Sequence, residues 1–268
     1  LDPVNLRQSI HAVLLAGGSA FGLDAASGIM RYLEERGIGR DVGVTKVPIV
    51  CGAILFDLLC GDWRVRPDDQ MGYAACVDAE RNRPLQGSLG AGTGAAVGKI
   101  RGMEYAMKGG LGTACFREGE LLVGAVMAVN CVGDVIDPAT GKIIAGLLGD
   151  DKKSCAGTEN RMLADYLDKT DFFSGNTIIG VVMTNAKLTK AEANRLATVS
   201  HNGIARTVRP AHSIFDGDTI FTMATGKIEA NVDVVGILAV RAVEEAIRNA
   251  VLNAESVAGI PAHRDIQK

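Results

Sequence analysis

Residues 174–182 read Ser-Gly-Asn-Thr-Ile-Ile-Gly-Val-Val, SGNTIIGVV. From Ile178 onward an unbroken apolar run, announced by glycine, predicts the start of a buried strand. Asn176 and Thr177 stand at its entrance. Read locally they form a turn, because Gly and Asn tolerate positive φ and Thr is at home on a strand. Whether they do more depends on what the rest of the chain brings to them.

Working outward, HAVLLAGGSAFG (11–22) predicts a short buried strand running into a Gly-rich turn. LDAASGIMRYLEERG (23–37) then predicts a helix with Leu23, Ala26, Met30 and Leu33 on one face and Gly37 as its stop. KVPIVCGAILFDLL (46–59) reads as further buried strand, and MGYAACVDAERNR (71–83) as a short helix after the Pro67 turn. The Gly-rich stretch 87–113 reads as loop and hairpin, and LLVGAVMAVNCVGDVID (121–137) as an inner strand. Between Asp150 and Ser174 the chain turns polar and loses its periodicity, which makes it the linker candidate. Beyond the opening stretch come a helix over 189–208 with Thr189 as N-cap and Glu192 completing a capping box, a strand over 218–226, and a closing helix over 233–254. The mixed order predicts a layered α/β or α+β fold with helices over both sheet faces.

Composition narrows the function. A formal net charge of −3 with dispersed Lys and Arg offers no field for phosphate backbones, so nucleic acid is not an expected partner. No apolar stretch approaches the roughly 18 residues of a membrane span, and the first residues lack the order of a signal peptide, so the expectation is a soluble cytoplasmic protein with no membrane partner. The 6 cysteines form no C-x-x-C pair and have no His at metal-ligand spacing; buried reduced thiols are expected, and no metal or cofactor. With 33 glycines and 4% aromatic residues, the chain should pack backbones closely and line tight layers with small residues.

Individual motifs are ambiguous. GAGTGAAVGK (90–99) fails as a phosphate loop, since Thr93 and Ile100 stand where Gly and Ser/Thr are needed, and Ala95 replaces the third glycine of a dinucleotide fingerprint. Asp216 and Asp218 in FDGDTIF (215–221) fit an exposed turn or the end of a sheet, where catalytic groups are often displayed. His212, with no Ser-His-Asp arrangement, reads as a structural or surface residue. Asn130 interrupts an apolar strand, so its amide either bonds neighbouring backbone or is held to donate to a substrate oxygen.

Taken in series, LLAGGSAFGLDAASGIMRYLEERG, RPDDQMGYAAC, GAGTGAAVGK, KGGLGTA, AVNCVGDV, GNTIIGVV and RPAHSIFDGDTIFTMATG resemble the self-cleaving aminopeptidases of the DmpA type. That family includes D-aminopeptidase/esterases, β-peptidyl aminopeptidases and nylon-oligomer hydrolases, within the superfamily of the ornithine acetyltransferases. The resemblance covers nearly the whole chain. It implies one hydrolase domain, 1–268, with an α+β fold: a four-layer αββα sandwich similar to N-terminal nucleophile hydrolases. It further implies self-cleavage between Asn176 and Thr177 into chains 1–176 and 177–268 that stay together, in a homotetramer or other homo-oligomer.

By the same resemblance Thr177 becomes an N-terminal nucleophile, Asn130 an oxyanion-stabilising amide, Asp216 and Asp218 the pair that orients the nucleophile and its amine, and Lys99 a basic residue lining the site. Gly17, Gly18 and Ser19 either shape a substrate pocket or are simple strand-to-helix geometry. The substrates implied are small peptides, amides or esters. The alternatives are an acyltransferase of the same superfamily and an uncleaved ligand-binding relative. Two departures stand out: Ile178 replaces a common second Thr, and the family's N-terminal segment of several strands has no counterpart before LDPVNL, so either those residues lie outside this sequence or the protein is a shortened relative, in which sheet edges or part of the pocket would stand open.

Overall fold

The apolar run after Thr177 does form a strand, and its neighbours set the architecture. A computed structural model describes residues 1–266 except 82, 84, 167–174 and 215. The main strands are β1 (Ala12–Ala16), β2 (Val50–Ile54), β3 (Gly110–Glu118), β4 (Leu121–Asn130), β5 (Thr177–Ala186) and β6 (Thr219–Ile228). The main helices are α1 (Ala25–Glu35), α2 (Asp69–Ala79), α3 (Lys190–Thr207) and α4 (Val232–Leu252). One sheet runs β6-β5-β4-β3, with β5 parallel to β6 and antiparallel to β4. A second, parallel pair joins β1 to β2.

Strand period 2 sorts the side chains of β5. Ile178, Val182 and Ala186 enter a core with α4 residues Val235, Ala239, Val243 and Ile247, whose spacing follows the helical repeat. Ile179 faces the other way, meeting Ala128 of β4, Leu55, Ala91 and the β1–β2 pair. Beyond that pair, Leu14, Ala16, Ile29 and Leu33 close a separate core under α1 and α2. The layers are therefore α3/α4, four strands, two strands and α1/α2, the expected αββα order. The two-stranded layer covers the larger sheet at its Thr177 end. Farther along, Val126, Val181 and Met183 line a cleft of about 1740 Å³.

Tight layers account for the glycines. A Cβ on Gly112 of β3 would lie 1.9 Å from the Ala246 carbonyl oxygen of α4, so helix and sheet approach to main-chain contact. Local signals are also visible: Thr189 accepts the Glu192 N–H while Glu192 accepts the Thr189 N–H at 2.7 Å, the expected capping box. Gly37 ends α1 at φ 62°.

Three expectations need correction. The buried face of α1 is Ala25, Ile29, Tyr32 and Leu33, whereas Leu23 and Met30 are exposed. The reason is phase: a 3-10 turn over Ser19–Asp24 delays the α-helix, so Leu23 never joins its repeat. The 150–174 linker candidate contains a helix, Thr158–Ala164, and its last eight residues lie outside the described residues. Of the six cysteines only Cys131 is buried; Cys115 is exposed and the other four intermediate. Among the described residues no helix is long and apolar enough to cross a membrane.

Gly112→Val should destabilise the fold by about 1–3 kcal/mol, because α4 has to lift away from the sheet. Denaturant midpoints for the two proteins measure it, and an unchanged midpoint would contradict the close packing described.

Candidate active site

Antiparallel pairing sets Thr177 directly opposite Asn130, and both point into the layer between the sheets. Asn130 is 1% exposed, so its amide has to find partners. Its Oδ1 accepts the Ala96 N–H at 3.0 Å and Lys99 Nζ at 3.0 Å; its Nδ2 donates to the carbonyls of Phe56 at 2.9 Å and Gly175 at 3.0 Å. Every amide valence is used, and reversing the group would set NH₂ against two donors. Both readings of Asn130 thus hold at once: it bonds to backbone, and an N–H points at the stretch before Thr177.

Lys99 is equally committed. Its Nζ donates to Asn130 O at 2.9 Å, Asn130 Oδ1 and Gly175 O at 3.0 Å, and burial pulls its pKa down to about 8. The Gly175 carbonyl therefore sits between an ammonium and an amide N–H, the arrangement that stabilises a carbonyl oxygen as it gains charge. The Asn176 carbonyl meets other groups. It accepts the Gly217 N–H at 3.1 Å and the hydroxyl of Thr177 itself.

The parallel neighbour supplies the acids. Asp218 Oδ1 accepts the Ile178 N–H at 2.7 Å, anchoring the first residue after Thr177. Its side chain is 5% exposed, and burial, with Asp216 close by, raises its pKa to about 6 against the pull of Ile178 N–H and His212. Asp216 Oδ2 accepts the Ser213 N–H at 2.7 Å, while its buried Oδ1 has no hydrogen-bond partner among the described residues. A bridge pairs Asp216 with Asn176, bringing that acid alongside the Asn176–Thr177 bond.

Thr177, Asn176, Asn130, Lys99, Asp216 and Asp218 are thus gathered at one end of the sheet. Gly17 and Gly18 are brought near them indirectly: the Gly18 N–H donates to Asp57 Oδ1 at 2.7 Å, and Asp57 lines a cavity with Lys99, Asn130 and Asn176. Ser19, at φ 54°, donates its N–H to Leu55 O and belongs to the turn rather than to that cavity.

Sequence reasoning missed three residues. His212 is no bystander, for its Nδ1 lies 2.9 Å from Asp218 Oδ2. Lys108, fully buried, donates to the carbonyls of Thr93 at 2.8 Å and Ala95 at 2.6 Å, fixing the loop whose Ala96 N–H holds Asn130. Asp57 is the third. A lysine in an apolar hairpin was the available signal for Lys108; nothing local distinguished Asp57.

This geometry can be set beside known proteins. A family model described as peptidase family S58 matches residues 1–265. The chain belongs to peptidase family S58. It is 42% identical over 288 residues to a Mycobacterium tuberculosis protein described as an uncharacterized aminopeptidase, covering 99% of this chain and 81% of that one. It is also 31% identical over 227 residues to the 6-aminohexanoate-oligomer endohydrolase of Paenarthrobacter ureafaciens, covering 82% and 61%. Among solved structures, a Burkholderia β-aminopeptidase superposes with a TM-score of 0.56 at 20% identity over 88% of this chain and 67% of that one. The Ochrobactrum anthropi L-aminopeptidase D-Ala-esterase/amidase, titled a variant of the Ntn hydrolase fold, gives 0.56 at 22% over 87% and 63%. Membership makes this S58 chain a hydrolase of peptide or amide bonds, built on the Ntn-type sandwich.

Asp218 also makes a stability prediction. An acid whose folded pKa exceeds its unfolded value of about 3.9 holds its proton more tightly when folded, so between that value and about 6 stability should rise as pH falls. Urea midpoints at pH 5 and pH 7 should show this increment in the native protein and lack it in Asp218→Asn; equal pH dependence in both would refute the assignment.

Proposed function

We propose that this S58 chain is a self-processing aminopeptidase whose nucleophile is Thr177, exposed by cutting its own Asn176–Thr177 bond. The observation that carries the reading is the contact of the Thr177 hydroxyl with the Asn176 carbonyl, at the first residue of a strand held on both sides. In the cut, Thr177 Oγ1 bonds to the Asn176 carbonyl carbon and its proton passes to the leaving nitrogen. The C–N bond breaks, leaving an ester on Thr177 and a free α-amine. Water then hydrolyses the ester, giving an Asn176 carboxylate and regenerating the hydroxyl. The Gly217 N–H, 3.1 Å from the Asn176 oxygen, is the donor available to the developing charge in this first reaction.

The freed amine explains why the nucleophile has to be terminal. An α-amino group titrates near 7.7–8.0, close enough to neutrality to take the proton of its own hydroxyl, whereas an amide nitrogen cannot. Asp216 Oδ1 supports the same reading: a buried acceptor with no donor among the described residues suits an ammonium that appears beside it. Toward substrates, Thr177 Oγ1 attacks the carbonyl of an N-terminal residue, the amide or ester leaving group departs with a proton, and water releases the acyl-enzyme. The donors that grip Gly175 O, Asn130 Nδ2 and Lys99 Nζ, are the ones suited to a substrate oxyanion. The relatives' names support small peptides and amides, with esters, as substrates.

Denaturing gels and intact mass test the cut. The native protein should resolve into chains 1–176 and 177–268, and Thr177→Ala should persist as one 28.0 kDa species without activity. A native chain that stays whole while hydrolysing an aminoacyl amide would refute the proposal. In cut enzyme, Asn130→Ala should lower kcat by about 10²–10³, the usual loss for one oxyanion donor.

A further inference from the structure

His212 stands where a glycine would be easier. Its φ is 55°, a conformation that glycine adopts freely and that other residues adopt only where their surroundings enforce it. The ring is held from two sides. Its Nδ1 lies 2.9 Å from Asp218 Oδ2, and the His201 ring of α3 packs against it with centroids 5.1 Å apart. Burial, with His212 beside it, lowers the pKa of His201, which favours the neutral form of that ring. Among the described residues His212 is therefore the one base within ion-pair distance of Asp218.

Asp218 joins that ring to the nucleophile. One carboxylate oxygen faces His212, and the other accepts the Ile178 N–H at 2.7 Å, which belongs to the peptide bond just after Thr177. Burial and Asp216 push a proton onto Asp218, while the Ile178 N–H and His212 oppose them. With a donor on each oxygen the carboxylate is fixed in one orientation; with the Ile178 N–H alone it would be free to turn or to take up the proton. The turn that carries His212 is itself anchored. The Ser213 N–H donates to Asp216 Oδ2 at 2.7 Å, and the Gly217 N–H donates to Asn176 O at 3.1 Å. One short segment thus grips the chain immediately before and immediately after Thr177.

We propose that His212 is a positioning residue for Thr177: by donating Nδ1–H to Asp218 Oδ2 it fixes the carboxylate that holds the Ile178 N–H, and so fixes the aim of the Thr177 hydroxyl. The inference rests on the reading of Thr177 as nucleophile given above. It covers the cut and substrate turnover alike, since the same oxygen attacks in both. A loosened nucleophile lowers kcat and leaves KM nearly alone. His212→Gly removes the ring and suits φ 55°, so its denaturant midpoint should not fall. On an aminoacyl anilide its kcat should drop at least about tenfold, with KM within about twofold of native. Because the His212 side chain is 38% exposed, the space it vacates opens to solvent, and added imidazole should restore the rate. N-methylimidazole, above the imidazolium range, fills the same space without an N–H and should not. Unchanged kcat, a loss carried by KM, or an equal response to the two imidazoles overturns the inference. If the variant is slow to cut itself, the same pair of imidazoles is applied to the cut and read on gels, with the same expectation.

A second pair of variants does not depend on the glycine variant folding. His212→Asn tolerates left-handed backbone and puts an amide N–H where Nδ1 stands, whereas His212→Gln carries its amide one bond farther out. The Asn variant should keep most of the native kcat and the Gln variant should lose it; equal kcat in the two overturns the role of His212. These failures are separable from failure of the parent reading, which would show as an uncut, inert native chain and would remove the inference with it.

Discussion

The register that sets Thr177 opposite Asn130 is the constraint on which the site depends. In an antiparallel pair the opposed residues share a face, so one pairing fixes both side chains in the inter-sheet layer. A slip of one residue would send Thr177 into the α4 core and bring Ile178 to the chemistry. The register is protected by burial on both faces: Ile178 and Val182 fill one core, and Ile179 fills the other. The parallel strand β6 then carries Asp218 to the Ile178 N–H, so the acid is indexed to the same register.

Burying two lysines is tolerable because main-chain carbonyls accept most of their N–H bonds. Lys108 donates into carbonyls of the 92–95 loop, and Lys99 into two main-chain carbonyls and Asn130 Oδ1; burial lowers both pKa values to about 8. A buried ammonium with three acceptors acts as a fastener. The two lysines work in series: Lys108 holds the loop, the loop's Ala96 N–H holds Asn130, and Asn130 with Lys99 holds Gly175. Asp216 Oδ1 is the exception to this saturation, and it lies beside the bond expected to break.

Features governed by a few adjacent residues were legible in the sequence. The Thr189–Glu192 capping box, the Gly37 stop and the apolar run after Thr177 each follow from local backbone chemistry. The face of α1 was not, because its phase depends on where a 3-10 turn gives way to α-helix, and that depends on packing against α2. Thr177, Asn130, Lys99, Asp216 and Asp218 converge as the resemblance implied, although neither spacing nor composition alone picks them out. His212, Lys108 and Asp57 derive their meaning from partners 6, 13 and 39 residues away along the chain. A single sequence carries no trace of such contacts until the sheets are assembled.

The carbonyl held in the donor pair gives the site its order of events. In the uncut chain Asn130 Nδ2 and Lys99 Nζ grip Gly175 O, one residue short of the bond at which Thr177 is aimed. On the proposed mechanism the chain thus occupies, with its own backbone, the donors that a substrate carbonyl would need. On the proposed mechanism the precursor is dormant for two independent reasons: its nucleophile lacks a basic amine, and its oxyanion donors are taken. Cutting supplies the amine at once, but the donors become free only when Gly175 and Asn176 withdraw as the new end of the first chain. Withdrawal breaks two hydrogen bonds to Gly175 and the Gly217 N–H bond to Asn176, and a substrate that offers a carbonyl oxygen in their place can restore the stronger pair. Substrate binding and displacement of the cut end therefore draw on the same hydrogen bonds.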